Sequence, residues 1–190
     1  MIAEQLAGKR IAVTGSTGFV GTALVERLLR SVPDCELVLL IRPSKRHDAT
    51  ERARREIFKN NAFDRLKAKV ADEGVETFDE MIARRVTAVG GDVSTDGLGL
   101  KEDDAALFAG CDIIIHSAAA VSFDSPLDSA VEINLLGPVR IAQTLNDRGV
   151  APHLVAVSTC YVAGNRRGNA PEELVSAGPW DIGLDWRKEV

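Results

Sequence analysis

Cysteine is scarce in this sequence, and its spacing excludes the usual cysteine-based sites. The three cysteines, Cys35, Cys111 and Cys160, are widely separated and odd in number, and none belongs to a C-x-x-C pair. A disulfide framework needs an even set of cysteines, and a structural zinc site needs closely spaced ones. We therefore expect no metal site and interpret all three as thiols in or near the protein core.

Long apolar segments and a surplus of positive charge are also absent. The longest apolar stretches, such as 37–41 and 113–115, fall far short of the ~20 residues that a transmembrane helix needs. The first residues lack the pattern of a signal peptide, so we expect a cytoplasmic protein and leave peripheral membrane contact open. The net charge of −5 and the pI of about 5.3 argue against a broad nucleic-acid-binding surface.

What remains is the composition of one globular domain. The chain has 190 residues, of which 45% are hydrophobic, enough for a single core and too few for two obvious domains. Apolar runs of strand length alternate with stretches of helical spacing. This alternation predicts an α/β protein built from βαβ units.

A glycine-spaced turn follows the first apolar run. Residues 10–14 have the character of a buried strand, and residues 22–30 carry apolar side chains at helical spacing with charges opposite. Between them, Gly15 can make a tight turn and Gly18 leaves room for the backbone to approach a pyrophosphate. Gly21 lets the helix pack closely on the strand.

This turn predicts a dinucleotide-binding site, in which free N–H groups at the start of the helix bind the phosphates. A glycine-rich turn without a ligand would use the same residues for steric reasons, and that alternative stays open. The candidate cofactor-binding residues of the turn are Thr14, Gly15, Ser16, Thr17, Gly18, Phe19, Val20 and Gly21.

Basic residues follow the second predicted strand, 36–41. Arg42 stands directly after this strand, and Lys45 and Arg46 follow it. In dinucleotide-binding folds, an acidic residue at this place binds the ribose 2′-hydroxyl, whereas an arginine accommodates a 2′-phosphate. We therefore predict that Arg42 and Lys45 favour NADP over NAD. The alternative is that they are ordinary solvated loop cations.

A long polar connection extends from about 43 to 84. Its segments 49–59 and 62–72 are rich in helix formers and predict helices, since a structureless loop of this length is unusual. The charge-dense segment 51–56 predicts a solvated helix face. We therefore expect a helical insert between the second and third strands.

Three further apolar runs predict strands at 85–89, 111–116 and 153–157. Together with 10–14 and 36–41, they predict a Rossmann-type, doubly wound parallel sheet in the order 3-2-1-4-5. Ligands of such a sheet bind outside the carboxyl ends of the strands. The residues that follow each strand are therefore candidates for the site.

Asp92 and Val93 follow the third strand, where an aspartate can hydrogen-bond the adenine amino group and a valine can pack on the ring. A strand-ending turn would favour the same residues. Three small residues, Ser117, Ala118 and Ala119, follow the fourth strand. Their small side chains would let the protein backbone approach the phosphates and nicotinamide ribose of the cofactor. The alternative is that they only allow close packing. Ser158 and Thr159 stand at the carboxyl end of the fifth strand.

Short segments of this sequence, taken in order, resemble those of the reductases of fatty acyl-CoA and other acyl thioesters. These reductases are extended short-chain dehydrogenase/reductases. That family includes the male-sterility-type fatty acyl-CoA reductases and the thioester-reductase domains of carboxylic acid reductases. The resemblance covers about residues 9–165, and the matching phrases are 14–21, 39–42, 63–66, 91–93, 98–100, 116–119, 123–124, 127, 134–137 and 157–162.

The resemblance implies NADP (NADPH) as the cofactor and an acyl-CoA or acyl-carrier-protein thioester as the substrate, which is reduced to an aldehyde or an alcohol. It places Asn134 in the cofactor site. It makes Thr159, with Ser158 as its neighbour, the hydroxyl that hydrogen-bonds the substrate carbonyl. Such a donor is needed because hydride addition puts negative charge on the carbonyl oxygen.

The sequence departs from this family at its only tyrosine, Tyr161, which is followed four residues later by Asn165. Reductases of this class carry Tyr-x-x-x-Lys, in which the lysine holds the ribose and lowers the tyrosine pKa. We therefore assign no catalytic role to Tyr161 and expect a truncated reductase that is inactive as an isolated chain. Its NADP-binding domain would span 1–165, and 166–190 would form a loop and the start of a further helix.

Two other functions share parts of this pattern. Sugar-nucleotide epimerases and dehydratases have the same glycine turn and strand-end hydroxyl, but they usually favour NAD, which Arg42 does not. A non-catalytic NADP-sensing module would use the same fold without the reaction. Both alternatives stay open on the sequence alone.

Overall fold

The computed structural model describes residues 2–164 and 167–172 of the chain. Within them, five parallel strands form one sheet in the order β3-β2-β1-β4-β5. The strands are β1 Arg10–Thr14, β2 Glu36–Ile41, β3 Val86–Gly90, β4 Ile113–His116 and β5 His153–Ala156. The α/β class and the predicted strand order are confirmed.

Helices cover both faces of the sheet. They are α1 Ile2–Leu6, α2 Phe19–Ser31, α3 Ala49–Arg52, α4 Asp64–Glu73, α5 Phe78–Arg85, α6 Glu102–Ala109, α7 Leu127–Ala130 and α8 Leu136–Asp147, with 3₁₀ turns at Asn61–Phe63 and Asp96–Gly99. The backbone widens to a π-helical turn at Ala53–Phe58, after α3, and at Val131–Leu135, between α7 and α8. In the described part of the chain, no helix has both the length and the apolar character to cross a membrane.

The core has two halves, because neighbouring side chains of a strand point to opposite faces of the sheet. Ile11 and Val13 of β1 belong to one apolar cluster, and Ala12 between them belongs to the other. All three side chains are fully buried. This burial on both faces explains why the strands appear in the sequence as continuous apolar runs.

The insert between β2 and β3 is helical, as predicted, but it contains one helix more than the sequence pattern suggested. This extra helix is α5, and Thr77 and Glu80 form a reciprocal capping box at its start. Edge-to-face contacts among Phe58, Phe63 and Phe78 hold the insert together. The Thr-x-x-Glu spacing is the sequence signal that would have identified α5.

Arg85 attaches the insert to the Rossmann core. Its buried guanidinium donates hydrogen bonds to the carbonyl oxygens of Leu29, Val32 and Cys35 at 2.8–2.9 Å. The residues Leu29 and Val32 lie at the carboxyl-terminal end of α2, where helix carbonyls lack partners within the helix. Arg85 therefore satisfies these groups and joins α5 to α2.

The cysteines differ in their environment. Cys35 and Cys111 are buried as predicted, and burial raises the pKa of the Cys111 thiol to about 12. Cys160 is exposed, so its predicted place in or near the core is wrong. The reason is its position after β5, the strand at the outer edge of the sheet, which pairs with β4 alone among the described strands. The predicted helix start near the carboxyl end of the chain lies outside the described residues.

Candidate cofactor-binding site

A cleft of about 390 Å³ opens at the carboxyl ends of β1 to β4. It lies between the connections that follow β1 and β4, where the strand order reverses from β1-β2-β3 on one side to β4-β5 on the other. Ligands of such sheets bind at this point. Thirteen predicted cofactor-site residues line it: Thr14, Gly15, Thr17, Gly18, Phe19, Val20, Gly21, Arg42, Asp92, Val93, Ser117, Ala118 and Ala119. The lining also includes residues that were not predicted: Leu40, Ile41, Arg52, Gly91, Val121 and Ile133.

Two glycines of the turn have steric roles within the protein itself. Gly15 has a φ of +73°, and a Cβ there would lie 2.5 Å from the backbone nitrogen of Ala118. A Cβ on Gly21 would overlap the Gly15 carbonyl oxygen and lie 2.7 Å from the Cα of Ser16. Gly21 thus lets the start of α2 lie directly against the backbone of the turn.

Gly18 is different, because a Cβ there would meet only the Gly15 carbonyl oxygen, at 3.2 Å. Gly18 is also the N-cap of α2, in an extended conformation, and no side chain caps the helix there. The first N–H groups of a helix have no partner within the helix and can bind an anion. The open side of Gly18 and the uncapped start of α2 face the same cleft.

Ser16 is part of the turn, between the cleft-lining residues Gly15 and Thr17, but is not itself among the residues that line the cleft. Its side chain is buried, and among the described residues its hydroxyl oxygen has no hydrogen-bond partner. A buried hydroxyl without a partner costs free energy, so this group is available to a ligand. The glycine turn, the uncapped helix and the Ser16 hydroxyl together fit the pyrophosphate of a dinucleotide.

Side chains lock β1 to β4 below the cleft. The hydroxyl of Thr14 lies 2.7 Å from Nδ1 of His116, and the hydroxyl of Ser117 donates to the Thr14 carbonyl oxygen at 3.0 Å. Burial lowers the pKa of His116, so the imidazole is neutral near pH 7. Because the Ser117 hydroxyl is bonded to the Thr14 carbonyl oxygen, it holds the loop after β4. The next residues of this loop, Ala118 and Ala119, line the cleft.

Arg42 and Asp92 face each other at the end of the cleft beyond β2 and β3. Arg42 Nη1 lies 3.7 Å from Asp92 Oδ2, and two thirds of the Arg42 side chain, 66%, is exposed. The other carboxylate oxygen of Asp92 accepts hydrogen bonds from the backbone N–H and the hydroxyl of Ser94, at 2.9 and 2.7 Å. Lys45, which was predicted beside Arg42, is not among the residues that line the cleft.

Arg52 occupies the place beside Arg42 instead. Its guanidinium donates to both carboxylate oxygens of Glu56, at 2.7 and 2.6 Å, and through Nη1 to the Arg42 carbonyl oxygen. These bonds lower the pKa of Glu56 and keep it ionised. Arg52 is only 20% exposed, so the prediction that 51–56 is simply a solvated face is wrong for this residue. The insert folds back against β2 and β3 and brings α3 to the cleft.

Asn134 lies behind the cleft and not in its lining. Its amide group makes two hydrogen bonds to the backbone of Ala120, accepting from the N–H at 2.8 Å and donating to the carbonyl at 3.0 Å. Ser158 and Thr159 follow β5, are exposed and also lie outside the lining. The Thr159 hydroxyl oxygen accepts a hydrogen bond from the Tyr161 backbone N–H at 3.1 Å.

Comparisons with known proteins agree with this geometry. Residues 13–189 match the model of a NAD-binding family described as male sterility protein. Two relatives from Arabidopsis thaliana, probable fatty acyl-CoA reductase 5 and fatty acyl-CoA reductase 8, are each 34% identical to the chain, over 173 and 171 residues. The matches cover 90% and 88% of the chain but 34% of each relative, so the chain spans about a third of their length.

A solved structure shows the same architecture. The terminal R domain from the myxalamid PKS-NRPS biosynthetic pathway is 30% identical, with a TM-score of 0.64, and the match covers 90% of this chain and 40% of that one. The strand order, the glycine turn and the match over residues 13–189 point to one family. The chain belongs to the male sterility protein family of NAD-binding domains.

Proposed function

We propose that this chain is the NADPH-binding part, over residues 1–165, of a reductase that acts on acyl-CoA or acyl-carrier-protein thioesters. The observation that carries the proposal is a single cleft with an uncapped helix start at one end and two arginines, Arg42 and Arg52, at the other. The relatives support the substrate class, since several are named fatty acyl-CoA reductases. The related R domain comes from a PKS-NRPS pathway.

Different residues of the cleft would bind different parts of the cofactor. The N–H groups at the start of α2, with the open side of Gly18 and the Ser16 hydroxyl, would hold the pyrophosphate. Asp92 and Val93 would hold the adenine, and the guanidinium of Arg42 would hold the ribose 2′-phosphate. When bound, NADPH supplies a hydride to the carbonyl carbon of the thioester.

The strand-end hydroxyl would act at the other end of the cofactor. Hydride addition to a thioester carbonyl leaves negative charge on the oxygen, and a placed O–H donor stabilises that charge. The Thr159 oxygen already accepts a hydrogen bond from the Tyr161 backbone, which leaves its proton free to donate. Thr159, with Ser158 beside it, is therefore the candidate carbonyl-binding donor of this chain.

The cofactor assignment predicts a preference for NADPH that depends on Arg42. A charge-assisted hydrogen bond to the 2′-phosphate contributes about 1.5–3 kcal/mol, so NADPH should bind about tenfold or more tightly than NADH. Arg42→Asp should remove or reverse this preference, because an acidic residue repels the phosphate and can accept from a ribose 2′-hydroxyl. Calorimetric titration of both cofactors into both proteins measures the ratio.

Arg46→Asp is the matched control. Arg46 lies in the same loop with the same charge, but it does not line the cleft, so its replacement should leave the ratio nearly unchanged. Equal affinities of the unsubstituted chain for NADPH and NADH would contradict the assignment. If Arg46→Asp changed the NADPH-to-NADH affinity ratio as much as Arg42→Asp, the preference would depend on the overall positive charge of the loop and not on a specific contact of Arg42.

A further inference from the structure

The Arg52–Glu56 pair is built more rigidly than the other ion pairs of the same helical segment. Two parallel hydrogen bonds of 2.7 and 2.6 Å join the guanidinium to the carboxylate. By contrast, Glu51, one turn earlier, approaches Arg54 and Arg55 only at 3.4 Å. A two-bond arginine–carboxylate contact fixes the plane of the guanidinium as well as its distance.

The fixed guanidinium also reaches the strand end. Arg52 Nη1 donates to the carbonyl oxygen of Arg42, the residue that follows β2 at the cleft. The Arg42 side chain itself is largely exposed, and its ion-pair partner among the described residues is Asp92, at 3.7 Å. The backbone from which Arg42 projects is therefore held by Arg52, and Arg52 is held by Glu56.

We propose that Glu56 is a positioning residue for cofactor selectivity: by clamping Arg52, it fixes the Arg42 backbone and keeps the Arg52 guanidinium in place for the 2′-phosphate of NADPH. This inference rests on the proposed cofactor site. Binding to a preorganised Arg52 loses less side-chain freedom than binding to a mobile arginine. Glu56 itself need not contact the cofactor, and it is not among the residues that line the cleft.

The sign of one substitution separates this role from simple electrostatics. Glu56 carries a negative charge near the site of a 2′-phosphate, so if charge alone mattered, Glu56→Gln would strengthen NADPH binding. If Glu56 positions Arg52, the same substitution weakens NADPH binding. NADH lacks the 2′-phosphate, so its affinity reports any general damage to the site.

The experiment is calorimetric titration of the chain and its variants with NADPH and with NADH, alongside melting curves. We expect Glu56→Gln to weaken NADPH binding about three- to tenfold and to change NADH binding by less than about twofold. Glu51→Gln is the matched control, because it removes the same charge from the same helical segment without touching Arg52. If Glu56→Gln does not fold, Arg52→Lys, which keeps the charge but not the two-bond contact, gives the same comparison.

The possible outcomes are distinct. Unchanged or tighter NADPH binding in Glu56→Gln, with the Arg42→Asp effect intact, overturns the positioning role and leaves the proposed cofactor site standing. Equal weakening of NADPH and NADH binding overturns it too, because the contact would then be structural only. An unsubstituted chain that does not prefer NADPH overturns the 2′-phosphate assignment and this inference with it.

Discussion

Thr159→Ala should lower the rate of acyl-CoA reduction by about 10²–10³-fold, because that is the typical cost of removing one oxyanion donor. The rate is compared in a protein that combines this chain with the rest of a related reductase. Such a protein results when this chain replaces the matched segment of fatty acyl-CoA reductase 8. By the family resemblance, we expect the added part to supply the Tyr-x-x-x-Lys pair that this sequence lacks. The rate is measured from NADPH absorbance with a long-chain acyl-CoA.

Two controls isolate the hydroxyl. Thr159→Ser keeps the O–H donor and should retain most of the rate, and the chain alone should bind NADPH without turnover. Reduction of acyl-CoA by the chain alone would contradict the need for a separate tyrosine and lysine. A combined protein that folds and binds NADPH but reduces no acyl-CoA would shift weight to the epimerase or sensor functions.

Gly18→Val should weaken NADPH binding by about 100-fold while leaving the fold nearly intact. The new side chain would occupy the space beside the helix start, and loss of two charge-assisted hydrogen bonds at about 1.5 kcal/mol each gives an effect of this size. Within the protein, the added Cβ meets only the Gly15 carbonyl oxygen, at 3.2 Å. The extended backbone at Gly18 suits a β-branched residue.

Gly21→Ala is the contrasting variant. Its Cβ would overlap the backbone of Gly15 and Ser16, so we expect Gly21→Ala to lower the melting temperature of the protein. Its main effect would therefore be on stability, whereas that of Gly18→Val would be on NADPH binding. Calorimetric titration and melting curves of both variants separate the two roles. A folded Gly18→Val protein with unchanged affinity would mean that this glycine serves the turn alone.

The parts of the fold with local sequence signals were predictable. The apolar runs predicted the strands. The strand order followed from the βαβ pattern and the glycine-spaced turn, which are typical of a doubly wound sheet. The helix α5 had a signal in Thr77 and Glu80 that the prediction did not use. Each of these features depends on residues close together in the chain.

The role of Arg52 had no such signal. It stands in a run with Arg54 and Arg55, and only the folding of the insert back onto β2 and β3 distinguishes it from them. The same limit applies to Asn134 and Ser117, whose side chains hold backbone groups of neighbouring loops. A sequence can indicate that a polar residue lies near a site, but the partner of its side chain depends on tertiary packing.

The central claim is that the cleft at the carboxyl ends of β1 to β4 binds NADPH, and amide hydrogen exchange with and without NADPH tests it most directly. The account predicts slower exchange in 15–21, 42–52, 91–93 and 117–119, with α4 unchanged. Protection confined to other segments at saturating NADPH, or none at all, would contradict it.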